Sequence, residues 1–157
     1  MHDAVRTGVS FGLTSAVITT LGLMVGLASG TKSELAVLGG ILTIAVADGL
    51  SDALGIHVSE EADGEKQKHV WISTFTTLGT KMVSALSFMV PVILLPLAQA
   101  LWVSVAWGLF LIGIFSYHVG ENEPTESWKV ILEHVTIAIV VVIATHYTGV
   151  LISSFLS

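Results

Sequence analysis

The chain has 157 residues, of which 53% are hydrophobic and only 11% charged, and its mean hydropathy of +0.85 is typical of an integral membrane protein. The net charge of −6 argues against nucleic-acid binding, which needs a basic surface, and favours the attraction of cations. The sequence contains no cysteine, which excludes disulfides, thiolate metal ligands and a cysteine nucleophile.

Long apolar stretches define the predicted helices. A bilayer-spanning helix needs about 20 predominantly apolar residues. Five stretches meet or approach this length, so the sequence predicts an all-α, polytopic membrane protein with five transmembrane helices in a single domain. The predicted spans cover about residues 7–29, 35–57, 81–98, 101–118 and 130–154. Residues 58–80 are predicted to form a short acidic and amphipathic cytoplasmic segment between the second and third spans.

The basic residues predict the orientation. All but one of them fall on one side of the five predicted spans, namely Arg6, Lys66, Lys68, Lys81 and Lys129, whereas Lys32 lies on the other side. Cytoplasmic segments carry the excess of Lys and Arg, so the N-terminus is predicted to be cytoplasmic. Lys81 is expected to extend its ammonium group from the end of the third span to the lipid headgroups. Without an organellar leader, the expected location is a prokaryotic plasma membrane.

The first span contains a stripe of small residues. Gly22, Gly26 and Gly30 repeat at intervals of four, so they superimpose into a smooth groove on one face of the helix. Small residues at this spacing allow two membrane helices to approach closely. The stripe therefore predicts either the seam of a homodimer or ordinary packing within one chain.

Two prolines, Pro91 and Pro96, lie late in the third span. Each removes a backbone donor, so one or both are predicted to kink or end the helix. The turn into the fourth span is then very short, and the two spans form a hairpin.

Two carboxylates, Asp48 and Asp52, interrupt the second span. An ionisable group at membrane depth is costly and normally faces the interior of a bundle or an aqueous route. A separation of four residues places both groups on one helix face. A dimer would bring up to four carboxylates together, which suits divalent cations, and cation binding to such groups would release protons. The alternative is that the pair bonds to Ser or Thr of neighbouring helices, or to Lys81, and only fixes the packing.

A second group of metal-ligand residue types follows the second span. It consists of His57, Glu60, Glu61, Asp63, Glu65 and His69. Carboxylates and imidazoles bind iron, manganese, zinc or calcium, although the spacing is not that of an EF-hand. The segment is therefore predicted either to collect metal ions or to be a solvated charged linker.

Two further candidates are adjacent on the last span. Glu133 and His134 point about 100° apart on a helix, so only one of them is expected to face the second-span carboxylates. The sequence has no metalloprotease, phosphate-loop or nucleotide-binding motif, so an enzyme is not predicted.

Several motifs occur in an order found in one family of membrane proteins. They are Gly8-Val9-Ser10-Phe11-Gly12-Leu13-Thr14, Gly22 to Gly26, Ser51-Asp52-Ala53-Leu54-Gly55, the two-proline run ending in Leu94-Leu95-Pro96, and Trp128-Lys129-Val130-Ile131-Leu132. In this order, and across five spans, the chain resembles the vacuolar iron transporter family.

The resemblance implies a five-helix protomer that pairs as a homodimer, with an ion path lined by the first helices at the dimer interface. It also implies proton-coupled export of Fe²⁺ or Mn²⁺ from the cytosol and an acidic metal-collecting segment after the second helix. Zinc is a further candidate cargo on the ligand chemistry alone. Two positions depart from the family pattern. Phe11 stands where the family usually has an Asp, and Asp52 stands where a Met is common.

Two functional hypotheses follow from these residues. The first is a homodimeric transporter that exchanges divalent metal ions for protons, with Asp48 and Asp52 in the path. The second is a membrane scaffold or metal sensor that retains the fold without transport, a hypothesis favoured by Phe11. An intramembrane enzyme is a third and weaker alternative.

Overall fold

The computed structural model describes residues 2–120 and 127–156, and this part of the chain is built from six α-helices. Their bounds are α1 His2–Thr31, α2 Glu34–Ala62, α3 Gln67–Ser87, α4 Met89–Leu94, α5 Leu97–Gly120 and α6 Ser127–Leu156. The predicted cytoplasmic loop between the fourth and fifth spans lies largely outside the described residues.

Five stretches of the described chain are helices long and apolar enough to cross a membrane, as predicted. They are His2–Thr31, Glu34–Ala62, Gln67–Leu94, Leu97–Tyr117 and Trp128–Phe155. The third of these begins well before the predicted boundary at residue 81. Residues 67–80 form the first half of α3, and only residues 63–66 separate α3 from α2, so the structure has no separate amphipathic segment over 58–80.

Short caps produce the two tight connections at the start of the chain. Lys32 adopts a left-handed conformation (φ 51°) after α1, and the Ser33 side chain then accepts a hydrogen bond from the Ala36 N–H to begin α2. At the end of α2, Gly64 (φ 75°) allows the Glu65 N–H to bond to the Glu60 carbonyl at 3.1 Å. This pattern satisfies the last carbonyls of a helix and reverses the chain.

The two prolines act as the sequence predicts. Pro91 cannot donate to the carbonyl of Ser87 and its ring clashes with that group, so α3 ends at Ser87 and a short helix, α4, follows. Pro96 forces Leu95 into an extended conformation (φ −129°, ψ 151°), which ends α4 and leads directly into α5.

The first helix lies at the centre of the bundle. It contacts α2, α3, α5 and α6, and its side chains Val17, Leu21 and Met24 are fully buried in the main hydrophobic core. Contacts between Gly8 and Ser73 and between Gly12 and Thr77 show that α1 and α3 run in the same direction. The α2 helix runs opposite to both, since Ser15 of α1 meets Asp52 while Gly40 meets Leu27.

Candidate functional site

The two second-span carboxylates converge on one lysine. The ammonium Nζ of Lys81 lies 2.6 Å from Asp48 Oδ2 and forms a second ion pair with Asp52 Oδ2. It also donates a hydrogen bond to Ser15 Oγ at 2.8 Å, and the Ser15 hydroxyl donates to Asp52 Oδ2 at 2.6 Å. We call these four residues, Ser15, Asp48, Asp52 and Lys81, the central charge cluster.

Three helices position the central charge cluster. Asp48 and Asp52 lie one turn apart on α2, on the face predicted from their spacing. Gly8 and Gly12 allow α1 to lie directly against the backbone of α3, because any Cβ there would lie 2.7–2.8 Å from the Ser73 or Thr77 carbonyl oxygen. Ser15, one turn further along α1, is thereby held against Lys81.

The central charge cluster lies near the middle of its helices. Ser15, Asp48 and Lys81 each lie about 20 Å from the nearer end of α1, α2 and the Gln67–Leu94 stretch at 1.5 Å per residue. The central residues of a helix that crosses a membrane pass through the hydrocarbon layer, where ionisable residues are rare and are usually functional.

The burial of the cluster differs from one side to the other. The Lys81 side chain is 1% exposed, whereas the side chains of Asp48 and Asp52 are 28% and 19% exposed. The ammonium therefore approaches the carboxylates from inside the protomer, and their other side opens to its surface. Oδ2 of Asp48 is itself buried and, although it is paired with Lys81, the contact lacks hydrogen-bond geometry.

The predicted surface position of Lys81 is wrong. Lys81 is among the largest fully buried side chains of the described residues and lies near the middle of the Gln67–Leu94 stretch rather than at one of its ends. The first half of α3 also belongs to the bundle. Val70, Ser73 and Thr77 of this half are fully buried against neighbouring helices.

The acidic residues around the turn between α2 and α3 contact histidines pairwise and do not form a shared ligand set. Nε2 of His69 lies 3.2 Å from Glu60 Oε2, and its Nδ1 lies 3.5 Å from Glu65 Oε2. The two ring nitrogens point in different directions, so the two carboxylates bracket the imidazole instead of converging on one point. No group of three or more such ligand residues able to hold a metal ion occurs within residues 2–120 and 127–156.

The remaining members of that segment are held elsewhere. Nε2 of His57 lies 3.5 Å from Glu61 Oε1, and its Nδ1 is 3.0 Å from the hydroxyl oxygen of Thr74 on α3. Asp63 is exposed and caps the end of α2 with its backbone N–H. His57 thus ties the end of α2 to α3, and Asp63 acts in the turn.

The candidates on the last helix lie away from the central charge cluster. Glu133 is exposed, and Nδ1 of His134 is hydrogen-bonded to Ser116 of α5 at 2.8 Å. His134 therefore faces α5 and not the second-span carboxylates.

The glycine stripe of α1 packs against α6 of the same chain. A Cβ on Gly22 would lie 2.9 Å from Val141, and one on Gly30 would lie 3.2 Å from the Gly149 carbonyl oxygen. Of the two alternatives that the sequence left open, packing within one chain is the contact that these glycines make.

A groove of about 790 Å³ lies beside this contact, between α1, α2 and α6. It extends from Thr31 and Ser153, at one end of the helices, to Thr19 and Ile44. Thr19 and Ile44 are each one helical turn from Ser15 and Asp48 respectively. The groove therefore leads from one end of the bundle almost to the central charge cluster.

Comparison with known proteins gives no match from which a function could be assigned. No protein-family model matches the chain, and no curated protein is significantly similar to it.

Sequence reasoning identified the two carboxylates and, in its packing alternative, named Lys81 and the Ser or Thr residues of neighbouring helices as their partners. The structure shows the contacts of that alternative, to Lys81 and to Ser15. The depth of Lys81 could have been predicted from its position, because it lies near the centre of a 28-residue stretch of spanning length. Ser15 carried no such signal, since hydroxyl residues in apolar helices usually bond back to the preceding turn, as Thr14 and Thr19 do here.

Proposed function

We propose that this protein is a homodimeric membrane transporter that exchanges divalent transition-metal ions, Fe²⁺ or Mn²⁺, for protons, and that Asp48 and Asp52 form its cation site. The observation that carries the proposal is the charge of the cluster at mid-helix depth. One ammonium group faces two carboxylates. When both carboxylates are ionised, one negative charge is left over, and at this depth only a cation or a proton can balance it.

Access to the carboxylates supports a transport role. Asp48 and Asp52 are partly exposed on the side away from Lys81. If Asp48 and Asp52 served only to fix the packing, their partial exposure would be a disadvantage, because an unbalanced carboxylate that is exposed to lipid costs more free energy. The groove between α1, α2 and α6 supports a route from one end of the helices to the same place.

The orientation proposed for the transporter uses the remaining basic residues. With Lys81 inside the bundle, Arg6, Lys66, Lys68 and Lys129 still cluster at one end of the helices, and Lys32 lies at the other. The excess of basic residues favours a cytoplasmic location for the first end. The groove then opens on the outer side, in keeping with export from the cytosol.

The homodimer seam is proposed on α2, because the glycine stripe of α1 is already used. Small residues repeat every four positions along the exposed face of α2: Gly39, Thr43, Ala47, Ser51 and Gly55. A Cβ on Gly39 or Gly55 would meet nothing within 4 Å, so this face is open in the protomer. A second copy packed here would cover the partly exposed carboxylates beside the stripe.

The absence of cysteine makes this seam directly testable. An Ala47→Cys variant is expected to form a disulfide-linked dimer in native membranes under mild oxidation, because a small-residue seam brings the two Cα atoms within the distance that a disulfide requires. Ile139→Cys, on the exposed face of α6, is the matched control and is expected to remain monomeric on a non-reducing gel. Cross-linking of the control but not of Ala47→Cys would place the seam elsewhere.

The transport proposal is tested with the purified protein in liposomes. Asp52→Asn removes one charge with almost no change in volume, and Mn²⁺ uptake is expected to fall to the level of protein-free liposomes. Asp3→Asn, the same chemical change at an exposed position in the first turn of α1, is expected to leave uptake unchanged. The measurement is quenching of an enclosed fluorophore by Mn²⁺, with a pH-sensitive dye reporting proton movement.

Two outcomes separate the alternatives. Unchanged uptake by Asp52→Asn would remove Asp52 from the path. Binding of Mn²⁺ by the unmodified protein in detergent, without flux in liposomes, would support the second function considered from the sequence, a non-transporting membrane metal sensor or scaffold. That alternative is favoured by Phe11, which lies one turn before Ser15, is 42% exposed and offers no ligand.

A further inference from the structure

The ammonium of Lys81 occupies the position that a bound cation would take. Its Nζ has oxygen neighbours from three residues, Ser15, Asp48 and Asp52, which come from two different helices. The contacts to Ser15 and Asp52 are hydrogen bonds, and the contact to Asp48 is an ion pair without hydrogen-bond geometry. Within the central charge cluster, the ammonium group of Lys81 therefore already acts as a cation bound to the two carboxylates.

An incoming ion would meet the same carboxylates from the opposite side. Lys81 is 1% exposed, and the carboxylates stand between it and the open side of the cluster. The ammonium and the ion would then share the negative charge of two carboxylates. Because like charges at such short distance repel strongly in a poorly screened interior, the ammonium must weaken the binding of a divalent ion.

We infer that Lys81 sets the affinity of this site: its ammonium is a tethered cation that limits how tightly the site holds a divalent ion and so permits the release of that ion. This inference rests on the proposed transport function. With Lys81 in place, each protomer offers the ion a net charge of −1 when both carboxylates are ionised. Without Lys81 the net charge is −2, and the site is expected to hold a divalent ion too firmly for rapid turnover.

The test measures Mn²⁺ binding and Mn²⁺ flux on the same full-length protein. Lys81→Met keeps an unbranched side chain, one atom shorter than that of lysine, and removes its charge. We expect this variant to bind Mn²⁺ more tightly by at least about tenfold, since a unit charge a few ångströms away outweighs that factor at protein dielectric values. Flux in liposomes is expected to fall. Tighter binding with slower flux is a combination that a purely structural role for Lys81 would not produce.

Charge compensation provides a matched control. In Lys81→Met/Asp48→Asn, the net charge returns to −1 and one carboxylate ligand is lost, so Mn²⁺ is expected to bind more weakly than it does to Lys81→Met. Lys81→Arg keeps the charge and is expected to bind Mn²⁺ no more tightly than the unmodified protein. If Lys81→Met does not fold, Lys81→Gln takes its place, because it also removes the charge and keeps a group that can donate to the carboxylates. It is expected to bind Mn²⁺ at least about tenfold more tightly than Lys81→Arg.

The outcomes separate this inference from the proposed function. If Asp52→Asn loses Mn²⁺ binding while Lys81→Met binds as the unmodified protein does, the cation site stands and the role of Lys81 is overturned. A Lys81→Gln variant that binds Mn²⁺ no more tightly than Lys81→Arg would overturn it as well. If neither the unmodified protein nor Lys81→Met binds Mn²⁺, the proposed function fails and the inference fails with it.

Discussion

Replacing both carboxylates of the central charge cluster is expected to destabilise the protein severely. In Asp48→Asn/Asp52→Asn, the ammonium of Lys81 keeps its place, 1% exposed, but loses both of its counter-charges. Breaking a buried ion pair by removing one partner typically costs roughly 3–5 kcal/mol, because an uncompensated charge is left behind. We expect the melting temperature in detergent to fall by about 10 °C, measured by circular dichroism.

Removing the stranded charge should restore most of that loss. Adding Lys81→Met to the double variant leaves no ionisable group in the cluster, and apolar replacement of a buried charge set is often close to neutral. Asp3→Asn/Glu34→Gln is the matched control: it also removes two carboxylates, but from exposed first turns of α1 and α2, where each is worth only about 0.3–1 kcal/mol. A double variant as stable as the unmodified protein would mean that Lys81 is not held by these carboxylates.

Filling the interface between α1 and α3 is the second change with a large expected effect. A Cβ on Gly8 would lie 2.7 Å from the Ser73 carbonyl oxygen, and one on Gly12 would lie 2.8 Å from that of Thr77. Both obstacles are backbone atoms, so the helices must separate. Overpacking of this kind costs roughly 1–3 kcal/mol per site, so Gly8→Ala/Gly12→Ala is expected to lose about 2–6 kcal/mol of stability.

The same separation should weaken the central charge cluster, because Ser15 follows Gly12 by one turn on α1 and donates to Asp52. Mn²⁺ binding is therefore expected to weaken together with thermal stability. Gly79→Ala/Gly113→Ala is the matched control, since a Cβ at either position meets nothing within 4 Å. The control should be neutral or slightly stabilising, as Ala is preferred to Gly inside a helix. Equal melting temperatures for the two double variants would show that α1 and α3 do not need this close approach.

The helical content and the number of long apolar helices could be predicted from the sequence, because hydropathy over 20 residues is a strong signal. The error at the start of α3 has a local cause. Ser73, Thr74 and Thr77 make the stretch look amphipathic, but each hydroxyl bonds to a carbonyl of the preceding turn. Their polar groups are satisfied within α3, so the stretch can pack in the bundle against the glycines of α1.

Helical periodicity predicted which residues of the candidate site share one face of a helix, and nothing beyond that. The spacing of Asp48 and Asp52 places them on one face of α2, and the structure confirms that both reach a common partner. Periodicity within a helix does not specify the neighbouring helix, so Lys81 could be named only as one alternative partner, and the packing of Gly22 on α6 could not be derived. For Glu60, Glu65 and His69, composition indicated ligand types, whereas their ion-pairing geometry depends on the turn at Gly64.

The four-residue link between α2 and α3 has a consequence for biogenesis. During translation, α2 emerges from the ribosome with two aspartates, each of which costs about 2.5–3.5 kcal/mol to insert at the centre of a bilayer. Lys81, which neutralises part of that charge, is synthesised only after the rest of α2, the link and the first half of α3. Because the link is so short, α2 and α3 can leave the translocon as one hairpin, with the ion pairs formed before either helix meets lipid alone.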